Sequence, residues 1–166
     1  MLSVIEKIIF LKGVPFFKGM TINQLEVLAN VCEEELFAED AQIFGQGDPG
    51  GVMYVVVNGK VGIEREGKRK GSSVRLATYG SHDYFGEMTV FDRSPRSAAA
   101  IALQDTLTLS LRREPLVALT RQYPDLSLEL ISVLSQRLRE ANDQIGQLTR
   151  TRPREIHKLF DKLDQD

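Results

Sequence analysis

The sequence is poor in the residues that build disulfide frameworks, metal sites and most catalytic centres. It contains one cysteine, two histidines and no tryptophan among 166 residues. The single cysteine, Cys32, excludes an internal disulfide and is typical of a protein from a reducing compartment. The histidines, His82 and His157, are not accompanied by a cysteine–histidine cluster. We therefore expect no metal site of ordinary ligand spacing.

Neither sign of charge dominates, and no long hydrophobic run is present. The chain has 21 basic and 23 acidic residues, so composition gives no general attraction to nucleic acid or to anionic membranes. Residues 1–11 are apolar but are interrupted by Glu6 and Lys7, and they lack a basic leader and a cleavage-site pattern. No segment is long enough to span a bilayer. These features predict a cytoplasmic protein without a transmembrane segment.

What the sequence has instead is a long series of short β-rich segments. They run from Glu35 to about Leu111 and are separated by Gly, Asp, Pro and Ser. Many short strands at close spacing are typical of a sandwich or a jelly-roll barrel. Asn58-Gly59 and Glu66-Gly67 predict tight hairpin turns. The predicted strands are residues 35–38, 42–44, 52–58, 60–64, 74–79, 97–103 and 106–111.

Helical patterns precede and follow this β-rich region. Apolar residues at helical spacing predict a first helix within residues 2–11, and Thr21 is a plausible N-cap for a second helix. On the C-terminal side, residues 113–122 have a helical pattern that Pro124 ends, and a long helix follows from Asp125. The fold class is therefore mainly β, with N-terminal helices and a long C-terminal helix.

The long C-terminal helix carries apolar residues spaced alternately three and four positions apart, which is an a/d heptad seam. A helix that packs only on its own domain usually has a wider apolar stripe. The seam therefore favours a parallel contact with a second copy of the chain, and packing within one chain is the alternative. The seam residues are Ile131, Leu134, Leu138, Ala141, Ile145 and Leu148.

Residues 85–99 combine features of a small anion site with one carboxylate set into it. Arg96 offers a planar fork of donors suited to a phosphate, and Gly86 allows close approach of the backbone. Glu87 would be repelled by a phosphate, so we expect it to accept a hydrogen bond from a sugar hydroxyl. A nucleoside 3′,5′-cyclic monophosphate presents a phosphate and a free ribose hydroxyl side by side.

This stretch resembles the phosphate-binding cassette of the cyclic nucleotide-binding domain family. Two upstream segments, residues 44–48 (FGQGD) and 54–61 (YVVVNGKV), resemble the family's glycine-punctuated strands, and the three motifs follow in the family's order. The resemblance covers roughly residues 14–148. It implies a double-stranded β-helix, or jelly-roll barrel, with a cyclic nucleotide as ligand and no metal.

The resemblance also implies a role for each cassette residue. Arg96 would bind the exocyclic phosphate oxygens, and Glu87 would accept from the ribose 2′-hydroxyl. Ser97 would supply a hydroxyl and an N–H group to the phosphate, and an N–H group would come from Ala98. The backbone of Gly86 and Met88 would contact the ribose.

The residues expected to face the base match those of the family less closely. Leu76 is a candidate apolar wall, and on the long helix Arg137 matches an arginine of the family's bacterial activators. Ala141 and Asn142 replace a threonine and a serine of those activators. Ser97 is the residue that they carry in the cassette, which favours cAMP over cGMP as the ligand and leaves the choice open.

Taken together, these features predict a regulatory sensor that passes nucleotide binding on through its C-terminal helix. The expected organisation is a helical segment (1–34), a nucleotide-binding barrel (35–123), a lid or dimerisation helix (124–150) and a tail (151–166). Only 18 residues follow Leu148, too few for a DNA-reading module, so we expect no nucleic acid partner for this chain alone. The downstream effector stays open.

Two other functions compete with the sensor. One is a scaffold that dimerises through the heptad helix while its pocket no longer binds. The other is an enzyme of the cupin type, which uses a related barrel but needs histidine and carboxylate ligands for a metal. No His-x-His pair is present, and no Ser/His/Asp order is persuasive, so we expect no enzymatic activity.

Overall fold

The computed structural model describes residues 1–67 and 72–151 of the chain. Its helices are α1 (Val4–Lys12), α2 (Ile22–Val31), α3 (Met88–Asp92), α4 (Arg113–Gln122) and α5 (Asp125–Thr151), with a short 3-10 turn at Pro15–Phe17. Its strands are β1 (Glu33–Phe37), β2 (Gln42–Phe44), β3 (Val52–Asn58), β4 (Val61–Glu66), β5 (Ser73–Tyr79), β6 (Tyr84–Phe85), β7 (Ala99–Ala102) and β8 (Thr106–Arg112).

The N-terminal helices begin at side chains that cap them. At α2 the hydroxyl of Thr21 accepts from the Gln24 N–H (3.4 Å), and the Gln24 side chain accepts from the Thr21 N–H (2.7 Å). This reciprocal pair satisfies backbone groups that a helix start leaves unbonded. Between the helices, Phe16 is buried, and its ring lies 4.9 Å from that of Tyr84 on β6. The N-terminal segment is therefore packed against the strand that leads into the cassette.

In the described part of the chain, eight strands form two antiparallel sheets of four strands each. The first has the order β1-β8-β3-β6, and the second has the order β2-β7-β4-β5. Neighbours such as β1 and β8, or β2 and β7, are far apart in sequence, as in a jelly roll. The fold class predicted from the sequence, a mainly β jelly roll with flanking helices, is confirmed.

One of the two predicted hairpins is wrong. The turn at Asn58-Gly59 joins β3 to β4, but these strands belong to different sheets and do not pair with each other. The turn therefore crosses between sheets, with Gly59 at φ 104°, where its missing Cβ avoids the backbone of Thr106. The other prediction is confirmed, since β4 and β5 pair around the turn that begins at Glu66-Gly67.

The core lies between the two sheets. Its buried cluster takes Tyr54, Val56 and Phe85 from the first sheet and Val61 and Ala100 from the second. Burial of such apolar side chains is the main favourable term in folding, roughly 25 cal/mol for each Å² removed from water. Phe85 is the last residue of β6 and the first residue of the cassette. Because it belongs to this core, the core fixes where the cassette begins.

The chain divides into two compact units, Met1–Leu126 and a second unit that begins at Ser127. The second unit contains most of α5, on which Ile131, Leu138 and Ile145 are exposed by 58%, 63% and 61%. They recur every seven residues, as the seam requires. The side chain of Leu148 and the tail residues 152–166 lie outside the described part of the chain. Among the described residues, no helix has the length and apolar character needed to cross a bilayer.

Candidate functional site

The cassette residues predicted from the sequence surround one cavity of about 110 Å³. All six predicted phosphate and ribose residues line it, together with Thr89 and with side chains from four strands. Its volume is below the 300–1,000 Å³ that is typical of whole small-molecule sites. The lining residues are Phe44, Ile63, Tyr79, Phe85, Gly86, Glu87, Met88, Thr89, Arg96, Ser97 and Ala98.

Arg96 is the centre of this site and is only 5% exposed. Its Nη1 donates to the carbonyl of Gly86 and to the hydroxyl of Thr89, both at 3.0 Å. Its Nη2 donates to the carbonyl of Val52 at 2.7 Å. The guanidinium also lies over the ring of Phe44, with Cζ 4.0 Å from the ring centroid, a distance typical of a cation–π contact. The side chain is therefore held in one position before any ligand arrives.

The charge of Arg96 is not matched by an ion pair. Within residues 1–67 and 72–151 no carboxylate forms a salt bridge with it, and its Nε is buried without a hydrogen-bond partner. Burial lowers the pKa of the guanidinium, and the neighbouring acidic groups of Tyr54, Asp48 and Glu87 oppose that shift. Arginine stays protonated in proteins, so a cation with one unused donor lines the cavity. Such a group is costly to bury unless an anion joins it.

The backbone of Arg96 is fixed by the glycine-rich turn that follows β2. The Arg96 carbonyl accepts from the Gly47 N–H at 2.8 Å, and the Arg96 N–H donates to the Asp48 carbonyl at 2.9 Å. The turn formed by the FGQGD segment therefore fixes the backbone of Arg96 through both its carbonyl and its N–H group.

Gly86 adopts a conformation that other residues rarely adopt, with φ 78°. A Cβ at this position would lie 2.6 Å from Nη1 of Arg96 and 3.1 Å from the carbonyl oxygen of Val52. The first contact is too close for a Cβ and the second is tight, so any other residue at this position would force the guanidinium to shift. Gly86 therefore positions Arg96 as well as lining the cavity.

Thr89 is a site residue that the sequence reasoning missed. It is buried, and its hydroxyl accepts from Arg96 and from the Gly51 N–H (3.2 Å) and donates to the Gly86 carbonyl (3.3 Å). One hydroxyl thereby joins the cassette, the arginine and the loop between β2 and β3. A threonine in the short α3 gave no signal of this in the sequence, because the loop residue that it joins to the cassette, Gly51, is 38 residues away.

The other cassette residues occupy two environments. Glu87 and Ala98 are buried, whereas Met88 and Ser97 are exposed. Glu87 directly precedes α3, but its side chain makes no capping bond to that helix. A capping role, the simplest alternative for this carboxylate, is therefore not what holds it in the cavity.

Aromatic rings form the wall behind the cassette, another feature that sequence reasoning did not identify. The ring of Phe85 stacks on Tyr54 at 5.3 Å and on Tyr79 at 6.2 Å, and Phe44 lies 5.9 Å from Phe85. Burial raises the pKa of the Tyr54 hydroxyl, so this residue stays neutral at physiological pH. The wall is rigid and uncharged, which leaves Arg96 as the strong positive centre of the site.

The predicted base contacts are not among the described residues that line the cavity. Leu76 lies on β5, is 57% exposed, and is not among the described lining residues. Arg137 and Asn142 lie on α5, in the second compact unit. These three assignments stay predictions. In the described part of the chain, no cluster of three or more histidine, cysteine or acidic residues could hold a metal ion.

Comparison with known proteins assigns the class of this site. The family model for the cyclic nucleotide-binding domain matches residues 34–123, which is more than half of the chain. The chain therefore belongs to the cyclic nucleotide-binding domain family. The matched segment contains both sheets and the whole cassette.

Individual relatives come from bacteria and protozoa. The cyclic AMP receptor protein of Thermus thermophilus is 36% identical over 139 residues, which are 84% of this chain and 64% of that protein. The crystal structure of the Thermus thermophilus catabolite activator protein superposes with a TM-score of 0.72 over 81% of this chain and 63% of that one. The chain thus spans somewhat less than two thirds of these relatives.

Two relatives from Toxoplasma gondii belong to protein kinase systems. The regulatory domain of its PKA, in co-crystals with cAMP, has a TM-score of 0.68 and 26% identity, covering 82% of this chain and 50% of that one. A cGMP-dependent protein kinase is 35% identical over 105 residues, which are 63% of this chain and 10% of the kinase. The domain defined here is thus a regulatory cyclic nucleotide-binding domain of the type found in receptor proteins and kinase regulatory domains.

Replacement of Gly86 by alanine tests whether the space at this glycine is needed to hold the Arg96 guanidinium in place. Because the new Cβ would meet Nη1 of Arg96, we expect Gly86→Ala to displace the guanidinium and to weaken cyclic nucleotide binding at least about 30-fold, equivalent to about 2 kcal/mol. Gly80→Ala is the control, since nothing lies within 4 Å of the Cβ position of Gly80 and this residue is not among those that line the cavity. Calorimetric titration measures both, and equal losses would contradict the steric argument.

Proposed function

We propose that this chain is a sensor that binds a cyclic nucleotide, with the phosphate at Arg96 and the ribose at Glu87, and that it prefers cAMP to cGMP. The observation that carries the proposal is the buried guanidinium of Arg96, which has no ion pair among the described residues and an unused Nε. A cyclic phosphate supplies the missing negative charge. It also offers two exocyclic oxygens to a planar fork of donors.

The phosphate would be bound by groups from one short segment. Arg96 provides the charge, and the next two residues, Ser97 and Ala98, line the same cavity and carry backbone N–H groups. Ser97 adds a hydroxyl at an exposed position, where a ligand reaches it without displacing core side chains. Charge-assisted hydrogen bonds of this kind contribute about 1.5–3 kcal/mol each. A few of them suffice for affinity in the micromolar range, about −8 kcal/mol, after ordering costs.

The ribose would be recognised by Glu87. Its carboxylate is 4% exposed and lines the cavity, and an ionised carboxylate can only accept hydrogen bonds. The 2′-hydroxyl is the one free hydroxyl of a 3′,5′-cyclic nucleotide and can donate to it. Repulsion between the carboxylate and the phosphate orients the ligand, since the two negative groups must lie at opposite ends of the cavity.

The preference for cAMP is supported by two observations. Ser97 is the residue carried by bacterial activators of the family, and the Thermus thermophilus relative is named as a cyclic AMP receptor protein. The similarity to a cGMP-dependent kinase covers a smaller share of the chain. The base would lie outside the small cavity, where Leu76, Arg137 and Asn142 are the proposed contacts.

Nucleotide binding would be passed on from the cassette to the C-terminal helices. Thr89 bonds both to Arg96 and to Gly51, whose carbonyl accepts from the N–H of Arg113 at the start of α4 at 2.8 Å. The side chain of Arg113 also donates to the Val90 carbonyl in α3. A shift of the cassette on phosphate binding would therefore move the start of α4, and α5 follows α4 in the chain. The ligand shifts this equilibrium only by its different affinity for the two states.

The helix α5 would carry the output by pairing with a second copy of the chain. Ile131, Leu138 and Ile145 are more than half exposed and are spaced by seven residues, which suits the seam of a parallel coiled coil. Leu134, Ala141 and Leu148 complete the proposed seam. The cytoplasm is the proposed location, which fits a ligand made inside cells.

Titration of the purified chain with cAMP and with cGMP tests the proposed function. We expect micromolar binding of cAMP and weaker binding of cGMP. Arg96→Gln removes the charge and the fork of donors, so binding should weaken at least about 100-fold, equivalent to the loss of two charge-assisted bonds. The matched control is Arg65→Gln, which removes one exposed arginine from β4, away from the lining of the cavity, and should leave the affinity unchanged.

The outcome is decisive in either direction. Absence of heat and of a thermal shift with both nucleotides would contradict the sensor and favour the scaffold with a non-binding pocket. Equal affinity of the wild type and Arg96→Gln would show that the nucleotide binds elsewhere. Circular dichroism of each variant separates a loss of binding from a loss of folding.

A second titration tests the role of Glu87 in binding the ribose. In the wild type, 2′-deoxy-cAMP should bind about 10- to 100-fold more weakly than cAMP, because it lacks the hydroxyl that donates to the carboxylate. In Glu87→Gln, binding of cAMP should weaken while the ratio between the two ligands falls towards one. An unchanged ratio in the variant would assign recognition of the 2′-hydroxyl to another group.

A further inference from the structure

A second and larger cavity, of about 870 Å³, shares only Thr89 with the lining of the nucleotide cavity. It is formed by the loop between β2 and β3, the second half of the cassette, the end of β8 and most of α4. Part of its surface is apolar, from Pro49, Val52, Val117 and Ala118. The roles assigned to the cyclic nucleotide site leave this cavity without a function.

The charge of this cavity is strongly positive. Four arginines line it, Arg93 from the cassette, Arg112 from the end of β8, and Arg113 and Arg121 from α4, against the single carboxylate of Glu114. The chain as a whole has a net charge of −2, so this concentration does not follow from composition. Like charges around a concave surface repel one another and focus the electrostatic potential, which attracts anions.

Most of these arginines are available to a ligand. Arg93 and Arg121 are exposed, and neither side chain forms a hydrogen bond or an ion pair with any other described residue. Arg112 pairs with Glu33 at 3.5 Å, but both side chains are about 60% exposed, and such surface pairs contribute little. Only Arg113 is firmly held, since its side chain donates to the Val90 carbonyl. Three guanidinium groups can therefore turn towards an anion that enters the cavity.

We propose that this arginine-lined cavity is a second ligand site, which binds a small phosphorylated molecule other than the cyclic nucleotide. Guanidinium groups match phosphate oxygens with paired donors, and several of them around one cavity suit a ligand with two or more negative charges. The volume lies within the 300–1,000 Å³ range of small-molecule sites, and the apolar residues give an organic group a surface to pack on.

The two cavities are physically linked through Thr89. Its hydroxyl bonds to Arg96 in the nucleotide site, and its side chain packs against Gly50, where an added Cβ would lie 2.1 Å from the Thr89 Cβ. Gly50 lines the arginine cavity. A ligand that moves this loop would therefore also move Thr89, so occupancy of either cavity should change the affinity of the other. The existence of the second site does not rest on the proposed binding of cAMP.

Titration of the nucleotide-free chain with inorganic pyrophosphate at low ionic strength tests the proposal. We expect saturable binding with a Kd below about 1 mM. The double variant Arg93→Gln/Arg121→Gln should raise the Kd at least about tenfold, because it removes two charge-assisted contacts. The control Arg65→Gln/Arg139→Gln removes the same total charge from exposed positions that do not line the cavity, and should change the Kd less than about threefold.

Several results would overturn the second site. One is the absence of saturable heat up to about 10 mM pyrophosphate, a concentration at which even weak sites are occupied. Another is an equal loss in the two double variants, which would show a general effect of charge. A wild-type Kd in Arg93→Gln/Arg121→Gln would place pyrophosphate outside the arginine-lined cavity. Tighter binding of citrate than of pyrophosphate would assign the arginines to carboxylates rather than to phosphates.

Discussion

A buried and unpaired cation is the constraint on which this site depends. The guanidinium of Arg96 is almost completely removed from water, and among the described residues its partners are two backbone carbonyls, one hydroxyl and one aromatic ring. These neutral partners offset part of the cost of burial but none of the net charge. The cavity therefore favours binding of an anion next to Arg96, and the surrounding residues determine which anion fits there.

The fold supplies the partners of this cation from three segments of the chain. Phe44 ends β2, Val52 begins β3, and Gly86 and Thr89 belong to the cassette. The two sheets bring these segments together, and the turn at residues 45–48 forms hydrogen bonds with both the N–H and the carbonyl of Arg96. Preorganisation of this kind lowers the ordering cost of binding, because the donors are already in place when the ligand arrives.

The sequence predicted those parts of the structure that depend on local patterns. The strand at Val52–Asn58, the helix at Arg113–Gln122 and the N-cap at Thr21 were all accessible from periodicity and capping chemistry. The cassette was accessible because its motif is contiguous. The sequence did not predict contacts between side chains and distant parts of the chain. Thr89 bonds to an arginine seven residues away and to a loop 38 residues away, and Phe44 meets Arg96 across 52 positions.

The missed elements have similar physical causes. The strand β6 has two residues, too few to show a periodic pattern, and its place is set by packing against Tyr54 and Phe16. The turn at Asn58-Gly59 has hairpin chemistry, but the fold uses it to pass from one sheet to the other. The arginine-lined cavity combines residues of the cassette with residues of α4. The spacing of these residues along the chain does not predict that they lie close together.

The most direct test of the central claim is a crystal structure of the chain in complex with cAMP. The account predicts that Nε of Arg96, unpartnered among the described residues, donates to an exocyclic phosphate oxygen at about 2.7–2.9 Å, the range of charge-assisted bonds. The contacts of Arg96 to Gly86 and Val52 should persist. A bound nucleotide whose phosphate lies away from Arg96, with Nε still unpartnered, would contradict the claim that this buried cation selects the ligand.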